Sequence, residues 1–282
     1  MKRMIAFLVV LTLAVGLFCG CGKCTDDGGK AALENMETFT VGFDAEFPPY
    51  GFLGPDGQPK GFDLDLAKEV AQRNGWKIEL KAIEWAAKDA ELNSGTIDCI
   101  WNGFTITEER KGMYTWSSPY VQNLQYILVR KNSDIKTFAD LNGKVVAAQD
   151  GSSGAEALTE RLEAMKGETE GFAFKDYKLV KDYLTANMML QSGAVDAVAL
   201  DSAVANGFVE KSNGAFVILD EPLKLEEYGI GFKKGNTVLR DAVEKTLKEM
   251  VKDGTAKKIV DHWAEAEIDN GGDGIDFILK AD

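Results

Sequence analysis

The hydrophobic and polar positions from Phe39 onward alternate between short apolar runs typical of strands and longer stretches with helical spacing. In the first part of the chain, the apolar side chains between Leu66 and Ala71 fall on one face of a helix that Gly75 ends. Asp63 is expected to cap this helix. The predicted elements are strand Thr40–Phe43, helix Asp63–Asn74, strand Trp76–Ile83, helix Lys88–Asn93 and strand Ile97–Trp101. Their β-α-β-α-β order predicts a parallel sheet.

A second run of the same kind follows later in the chain. Its predicted elements are strand Lys144–Ala148, helix Ala155–Met165, the extended piece Phe172–Lys178, helix Asp182–Gln191 and strand Val195–Leu200. Two amphipathic helices, Thr237–Val251 and Ala256–Trp263, come after it. The chain is therefore predicted to be an α/β protein with two doubly wound α/β lobes.

A repeated segment supports the two-lobe interpretation. Residues 92–101 and 190–199 share Leu, Ser, Gly and Asp in the same register, at an offset of 98 residues. Each copy is typical of a last helical turn, a glycine that ends the helix and an apolar strand opened by an aspartate. The first copy leads into residues 102–110, which carry hydroxyls and an arginine, and the second ends at Asp201. Ligands of open α/β sheets bind beyond the carboxyl ends of the strands. If the ends of these two strands face each other, the arginine of one and the aspartate of the other would complement the two charges of a zwitterion.

The first 20 residues are predicted to be a secretory signal. A basic head of Lys2 and Arg3 precedes the apolar run Met4–Phe18, which is short for a membrane-spanning helix. The Gly20-Cys21 junction resembles a lipobox, which implies a lipoprotein acylated at Cys21 and anchored at the membrane surface. An ordinary cleaved signal is the alternative. Residues 21–38 are polar and rich in glycine, and we interpret them as a flexible tether.

Charge and composition exclude several classes of protein. The net charge is −13, and removing residues 1–20 takes away two positive charges and leaves −15, so nucleic-acid binding is not expected. Cys99 is the only cysteine after residue 24, and His262 is the only histidine, so neither a disulfide framework nor a metal site is expected. No cofactor is expected either, because the Gly/Ser-rich loop 149–154 lacks the lysine of a phosphate loop. Residues 265–282 are predicted to form a C-terminal tail, either docked or disordered, and their acid spacing does not fit a calcium loop.

Arg110 and Asp201 are the candidate charges of a ligand site. A guanidinium fork is the best fixed partner for a carboxylate, and the Gly103 amide and the Thr105 hydroxyl follow the same strand as Arg110. The alternative is a surface arginine paired with a neighbouring glutamate. Asp201 ends a strand, where it would either accept from a ligand ammonium or cap the next helix.

Aromatic side chains also follow the predicted strands. Phe47 and Tyr50 come after the first strand, and Trp85 comes after the next one. An aromatic face packs against aliphatic stems and attracts ammonium groups, so each of the three is a candidate wall of a pocket. Ordinary core or rim packing is the alternative for each.

At this level of detail the chain resembles the extracellular solute-binding proteins of polar amino-acid ABC transporters, the family 3 solute-binding proteins with the type II periplasmic-binding-protein fold. The resemblance spans about residues 39–263. It is carried by the segments Gly42–Phe52, Gly61–Asp65, Asn102–Arg110, Ser117–Tyr120, Leu200–Asp201 and Tyr228–Phe232.

The resemblance implies a role for individual residues. Arg110, with Gly103 and Thr105, would hold the ligand α-carboxylate, and Asp201 would hold the α-ammonium. The other ligand-binding residues implied are Asp44, Phe47, Trp85, Gln149 and Ser152. The resemblance does not decide which ligand side chain the pocket accepts. Glu46 would favour a cationic amino acid, whereas Asn102 would favour a neutral polar one. Trp85 could stack on either of these or on cystine.

The resemblance also implies an organisation and a mechanism. Lobe 1 would comprise residues 39–119 and 229–264, lobe 2 residues 125–224, and the hinge residues 120–124 and 225–228. Hinge closure around an amino acid would present the protein, as a monomer, to an ABC permease. The alternative function is an extracellular dehydratase of prephenate or arogenate on the same fold, with Glu46 as the general acid.

Overall fold

A computed structural model of the chain describes residues 33–268 and 274–281. The predicted signal, Cys21 and residues 21–32 of the predicted tether lie outside the described residues. Within the described residues, no helix is long and apolar enough to cross a membrane.

The described elements include the two β-α-β-α-β runs expected from the sequence and further elements whose bounds were not predicted, among them the long strand Val121–Arg130 and the helix Ser202–Lys211. The strands are β1 (Thr38–Phe43), β2 (Glu46–Phe47), β3 (Gly51–Leu53), β4 (Pro59–Lys60), β5 (Lys77–Ala82), β6 (Cys99–Ile100), β7 (Tyr114–Trp116), β8 (Val121–Arg130), β9 (Val145–Gln149), β10 (Asp176–Val180), β11 (Ala197–Asp201), β12 (Phe216–Ile218), β13 (Lys224–Tyr228), β14 (Gly231–Lys233) and β15 (Asp276–Phe277). The helices are α1 (Phe62–Asn74), α2 (Lys88–Ser94), α3 (Glu108–Lys111), α4 (Ser153–Glu168), α5 (Tyr183–Ser192), α6 (Ser202–Lys211), α7 (Thr237–Lys252) and α8 (Thr255–Ile268).

The first lobe is built on a five-stranded sheet in the order β5-β1-β6-β14-β7. Strand β1 pairs in parallel with both β5 and β6, as the first β-α-β-α-β run predicts, and β14 and β7 complete the sheet with antiparallel pairing. Strands β2, β3 and β4 form a small separate sheet. The expected cap of α1 is wrong, because the N-cap position is Gly61 and Asp63 lies inside the helix. The Asp63 carboxylate instead accepts from the backbone N–H of Gly103 at 2.6 Å.

The second lobe is built on a sheet in the order β10-β9-β11-β8-β12. Strands β10, β9 and β11 are parallel, again as predicted, and β8 joins them antiparallel. Strand β13 pairs with the first half of β8, from Val121↔Tyr228 to Gln125↔Lys224. The two segments predicted as the hinge therefore lie next to each other, and most of each lies in this strand pair.

The repeated segment forms the same local structure in both lobes. Helices α2 and α5 end at Gly95 and Gly193, whose φ values of 80° and 79° belong to the left-handed region that glycine enters without cost. The aspartates that follow, Asp98 and Asp196, accept from a backbone N–H of the neighbouring parallel strand at 2.7 and 2.9 Å. This hydrogen bond joins the start of β6 to β1 in the first lobe and the start of β11 to β9 in the second.

Residues 274–281 are docked, which decides between the two alternatives for this part of the C-terminal tail. Strand β15 pairs antiparallel with the start of β8, and Ile275 and Leu279 are buried. Cys99 is buried and free, while His262 is exposed beside Trp263. The described residues contain no group of three or more acidic, histidine or cysteine side chains that could hold a metal ion.

Candidate functional site

One cavity lies at the carboxyl ends of β1, β6, β9 and β11, where the two lobes face each other. The empty space among its lining residues, including the part open to solvent, is about 280 Å³. The residues that line it come from both lobes: Asp44, Phe47, Trp85, Asn102, Gly103, Thr105, Arg110, Gln149, Ser152, Ser153, Tyr183 and Asp201. The structure brings together the ten residues predicted as ligand-binding, whereas Tyr50, a candidate wall, and Glu46, predicted for the side-chain pocket, do not line the cavity.

Arg110 enters the cavity from the short helix α3. The Thr107 side chain caps this helix by accepting from the Arg110 backbone N–H at 3.3 Å. The guanidinium is buried, lies over the Phe104 ring at 5.2 Å, and donates to the backbone carbonyl of Gly151 in the second lobe at 3.1 Å. It also pairs with Glu156 of the second lobe. The alternative of a surface arginine paired with a neighbouring glutamate on its own helix is therefore wrong.

Asp201 lies on the opposite wall, in the second lobe. It occupies the N-cap position of α6, but its side chain makes no capping hydrogen bond. The carboxylate accepts instead from the hydroxyls of Tyr183 and Tyr228, at 2.6 and 2.7 Å, and from the side-chain amides of Gln125 and Asn123, at 2.6 and 2.9 Å. Burial raises the pKa of Asp201. This group is therefore a buried acid whose hydrogen-bond partners are all neutral.

Asp44 and Gln149 join the two lobes at the cavity. The Asp44 backbone N–H donates to Asn102 Oδ1 at 2.8 Å, which ties together the ends of β1 and β6. The Asp44 carboxylate accepts from the Glu46 backbone N–H at 2.9 Å and from Gln149 Nε2 of the second lobe. Burial raises the pKa of Asp44, although these hydrogen bonds favour its ionised form.

The aromatic residues form two walls. Phe47 lies against Tyr50 at 5.3 Å in the first lobe and against Tyr183 at 5.9 Å in the second. Trp85 packs edge-on against Phe104 at 5.6 Å. Each ring therefore packs against other aromatic rings and also faces the cavity, so packing and a ligand role are compatible at these positions.

The loop before α4 brings the second lobe onto the first. Ser152 caps α4 by accepting from the Ala155 backbone N–H at 3.0 Å, and its hydroxyl donates to the Gln149 carbonyl at 2.8 Å. The Gly151 carbonyl accepts from Lys88 Nζ at 3.0 Å as well as from Arg110. Burial, followed by the charge of Arg110, lowers the pKa of Lys88 to about 8. Two cations of the first lobe thus share one carbonyl of the second.

Two predicted details need correction. Glu46 is exposed and does not line the cavity, because the pleat of β2 turns it away from the buried Phe47, so it contributes neither a pocket wall nor a general acid there. The Gly103 amide is engaged by Asp63, so it is not a free donor for a ligand, although Gly103 lines the cavity.

Sequence reasoning missed Ser153, Tyr183 and Glu226. Ser153 and Tyr183 are the first residues of α4 and α5, directly after Ser152 and Asp182, whose side chains cap these helices in the structure. Glu226 is buried on β13, and its Oε1 accepts from Thr105 Oγ1 at 3.0 Å and from the Asn123 amide at 2.8 Å. Glu226 stands beside Glu227 in a predicted hinge segment, and nothing in the sequence distinguishes the buried acid from the exposed one.

Comparison with known proteins identifies the family. Residues 39–266 match the bacterial extracellular solute-binding proteins, family 3. The chain belongs to this family. The family 3 chain is 31% identical to the L-cystine-binding protein TcyJ of Escherichia coli (strain K12) over 260 residues, which cover 91% of this chain and 94% of TcyJ.

Solved structures of similar proteins share the fold. Tv2483 bound to L-arginine superposes with a TM-score of 0.78 at 26% identity, covering 88% of this chain and 97% of Tv2483. An ABC uptake transporter substrate-binding protein from Streptococcus pneumoniae with bound histidine gives 0.75 at 31% identity, covering 84% of this chain and 96% of that protein. The family 3 chain is accordingly an extracellular solute-binding protein with the type II periplasmic-binding-protein fold, and its role is binding rather than catalysis.

Proposed function

We propose that this family 3 protein binds a polar L-amino acid in the cavity between its lobes, with the α-carboxylate at Arg110 and the α-ammonium at Asp201. The observation that carries the proposal is the placement of a buried guanidinium and a buried carboxylate on the walls of one small cavity. The proteins similar to this chain carry cystine, arginine or histidine in their names or bound in their structures, which supports an amino-acid ligand.

The charges explain why a zwitterion suits this site. A buried acid without a cationic partner is costly, and the ammonium of a ligand at Asp201 would supply the missing charge. Arg110 presents five N–H donors, of which the contacts to Thr105, Gly151 and Glu156 use only a part. A ligand carboxylate would take a further pair of donors in the fork geometry that arginine favours.

Closure follows from contacts that cross between the lobes. Thr105 Oγ1 lies 2.9 Å from Ser153 Oγ, Asp44 accepts from Gln149, and Gly151 accepts from two cations of the first lobe. A ligand that contacts Arg110 on one lobe and Asp201 on the other is fully bound only when the lobes meet. It therefore shifts the population toward the closed form.

The side-chain end of the cavity favours a polar group. Asp44, Asn102 and Gln149 supply a carboxylate and two amides, and Trp85 supplies a flat apolar wall. A ligand side chain that donates hydrogen bonds would satisfy the Asp44 carboxylate. We therefore rank arginine, lysine, ornithine, histidine and glutamine ahead of acidic or aliphatic amino acids.

The remaining parts of the proposal concern organisation and partners. Lobe 1 comprises residues 39–119 and 229–264, lobe 2 residues 125–224, and the hinge residues 120–124 and 225–228. The protein works as a monomer, is held at the membrane surface by acylated Cys21, and delivers its ligand to an ABC permease, whether on the cell surface or in a periplasm.

Titration calorimetry with matched ligand derivatives tests the proposal. A thermal-shift screen of the L-amino acids, cystine, ornithine and prephenate first identifies the ligand, because a bound ligand raises the melting temperature. The N-acetyl derivative and the methyl ester of that ligand each remove one charge, and each is expected to bind at least about tenfold more weakly. Derivatives that bind as well as the parent amino acid would contradict the charge assignment. Stabilisation by prephenate alone would favour the dehydratase alternative.

Substitutions locate the carboxylate site. Arg110→Lys keeps the charge but loses the fork, so we expect at least about a tenfold weaker affinity. Arg130→Lys is the matched control, because Arg130 is a partly buried arginine of the second lobe that binds the Leu190 carbonyl and Asp196 and does not line the cavity. It should leave the affinity unchanged.

A further inference from the structure

Asp201 and Glu226 share the same two amide groups. Gln125 Nε2 donates to Asp201 Oδ1 at 2.6 Å and to Glu226 Oε1 at 2.9 Å. Asn123 Nδ2 donates to the same two oxygens at 2.9 and 2.8 Å. Two acidic side chains, buried at 3% and 7% exposure, are thus held side by side by common donors.

The hydrogen bonds of Glu226 are distributed unequally. Oε1 accepts from both amides and from the hydroxyls of Thr105 and Ser153, at 3.0 and 3.2 Å. Oε2 is buried and has no hydrogen-bond partner among the described residues. An ionised carboxylate needs donors at both oxygens, and Oε2 has none among the described residues, so a negative charge on Glu226 is poorly stabilised. The neighbouring Asp201 carboxylate disfavours that charge further, because two like charges in one buried site favour retention of a proton by the pair.

Within residues 33–268 and 274–281, no lysine or arginine side chain forms a hydrogen bond or ion pair with either acid. Tyr183 approaches from α5 and Tyr228 from β13, and both donate neutral hydroxyls to Asp201. Arg110 approaches from the first lobe, but it is directed at the Thr105 carbonyl, Gly151 and Glu156. Burial, followed by the charge of Asp201, raises the pKa of Glu226 to about 7.

The pair is built almost wholly within one sheet. Asp201, Glu226 and the two shared amides belong to β11, β13 and β8, which are strands of one sheet. Among the partners of Glu226, only the Thr105 hydroxyl belongs to the first lobe. Strand pairing within this sheet therefore holds the two acids side by side, although Asn123 and Glu226 lie in the two proposed hinge segments.

We propose that Asp201 and Glu226 form an acid pair that shares one proton in the free protein and releases it to solvent when the α-ammonium of the ligand arrives. The proposal rests on the proposed function, which places that ammonium at Asp201. The ligand ammonium replaces the released proton, so the net charge of the site does not change. The amides of Asn123 and Gln125 keep donating to both acids. Glu226 is then a positioning residue that makes amino-acid binding depend on pH.

The direction of the dependence follows from this exchange. Above pH 7 the pair is largely ionised and takes up the ammonium without losing a proton. Below pH 7 the proton must leave first, so the affinity falls as the pH falls, by about tenfold for each unit while one proton is exchanged.

Calorimetry of the full chain with its amino-acid ligand tests the proposal. Titrations at pH 6.0 in two buffers of different ionisation enthalpy count the protons released, and a series from pH 5.5 to 8.0 gives the affinity profile. We expect close to one proton released at pH 6.0 and about a fivefold loss of affinity from pH 7 to pH 6, which approaches about tenfold per unit at lower pH. Glu226→Gln imitates the protonated acid, so it should bind at pH 8 at least about tenfold more weakly than the wild type, with a flat profile.

Glu227→Gln is the matched control, since Glu227 is the exposed next residue of the same strand, and it should behave as the wild type. Tight binding by the wild type with no proton release and a flat profile would overturn the acid pair and leave the proposed function standing. If Glu226→Gln does not fold, the wild-type proton count decides. If no amino acid binds at any pH, the proposed function fails and this inference fails with it.

Discussion

Gly103 turns the loop after β6 against the ring of Phe47. Its φ of 54° lies in the left-handed region, and a Cβ atom placed there would lie 2.3 Å from Phe47 Cε1. The Tyr228 ring would be 3.1 Å away on another side. Gly103→Ala therefore imposes two separate penalties, one on the backbone and one on an aromatic wall of the cavity.

The magnitudes can be separated with a second glycine. An alanine in the left-handed region costs about 1–2 kcal/mol, and forcing an extra carbon into a packed site costs about 1–3 kcal/mol more. Gly103→Ala should therefore lower the free energy of unfolding by about 2–5 kcal/mol. Gly95→Ala has a similar backbone, with φ at 80°, but its Cβ meets no atom within 4 Å. It should lose only the backbone part, about 1–2 kcal/mol.

Urea unfolding followed by circular dichroism measures both changes. The difference between the two variants isolates the contact with Phe47. Since the ring must move, Gly103→Ala should also weaken ligand binding, while Gly95→Ala should not. A double-mutant cycle with Phe47→Leu should then show coupling, because the smaller side chain relieves part of the overlap. Equal losses of stability for the two glycine variants, with no coupling to Phe47, would refute the reasoning.

Three further predictions concern other parts of the fold. Tyr183→Phe removes the donor that reaches Asp201 at 2.6 Å, so it should cost about 1–3 kcal/mol of unfolding free energy in urea, and an unchanged midpoint would contradict the contact. Leu279→Ala removes a buried side chain from the docked C-terminal segment, so the amide hydrogen of Ile278, which is bonded to the Tyr120 carbonyl at 2.9 Å, should exchange faster. Unaltered protection of this amide would argue against docking. Burial raises the pKa of Cys99 well above its usual value, so a thiol reagent at pH 8 should modify its peptide only in denaturant, as mass spectrometry would show; rapid labelling of the native protein would disprove the burial.

Much of the site could be anticipated because its residues follow strand ends. The cavity lies at the carboxyl ends of parallel strands, and Asp44, Asn102, Gln149 and Asp201 stand at or just after such ends. A residue's position relative to the end of a strand is a local property of the chain, so periodicity and family resemblance locate it. Its hydrogen-bond partners are not local, and here prediction was less successful. Asp63 was expected to cap its own helix, yet its carboxylate binds an amide 40 residues away.

The sequence alone determined the two β-α-β-α-β runs, their parallel strands and the glycines that end α2 and α5, because these depend on the spacing of apolar side chains and on the backbone freedom of single residues. Only the tertiary structure decided that Arg110 meets Glu156, that Glu46 turns away from the cavity, and that Glu226 lies beside Asp201. Arg110 and Glu156 are 46 positions apart (156 − 110), and Asp201 and Glu226 are 25 positions apart (226 − 201). Burial makes each such pairing a strong energetic requirement, but nothing in the spacing along the chain records which distant partner satisfies it.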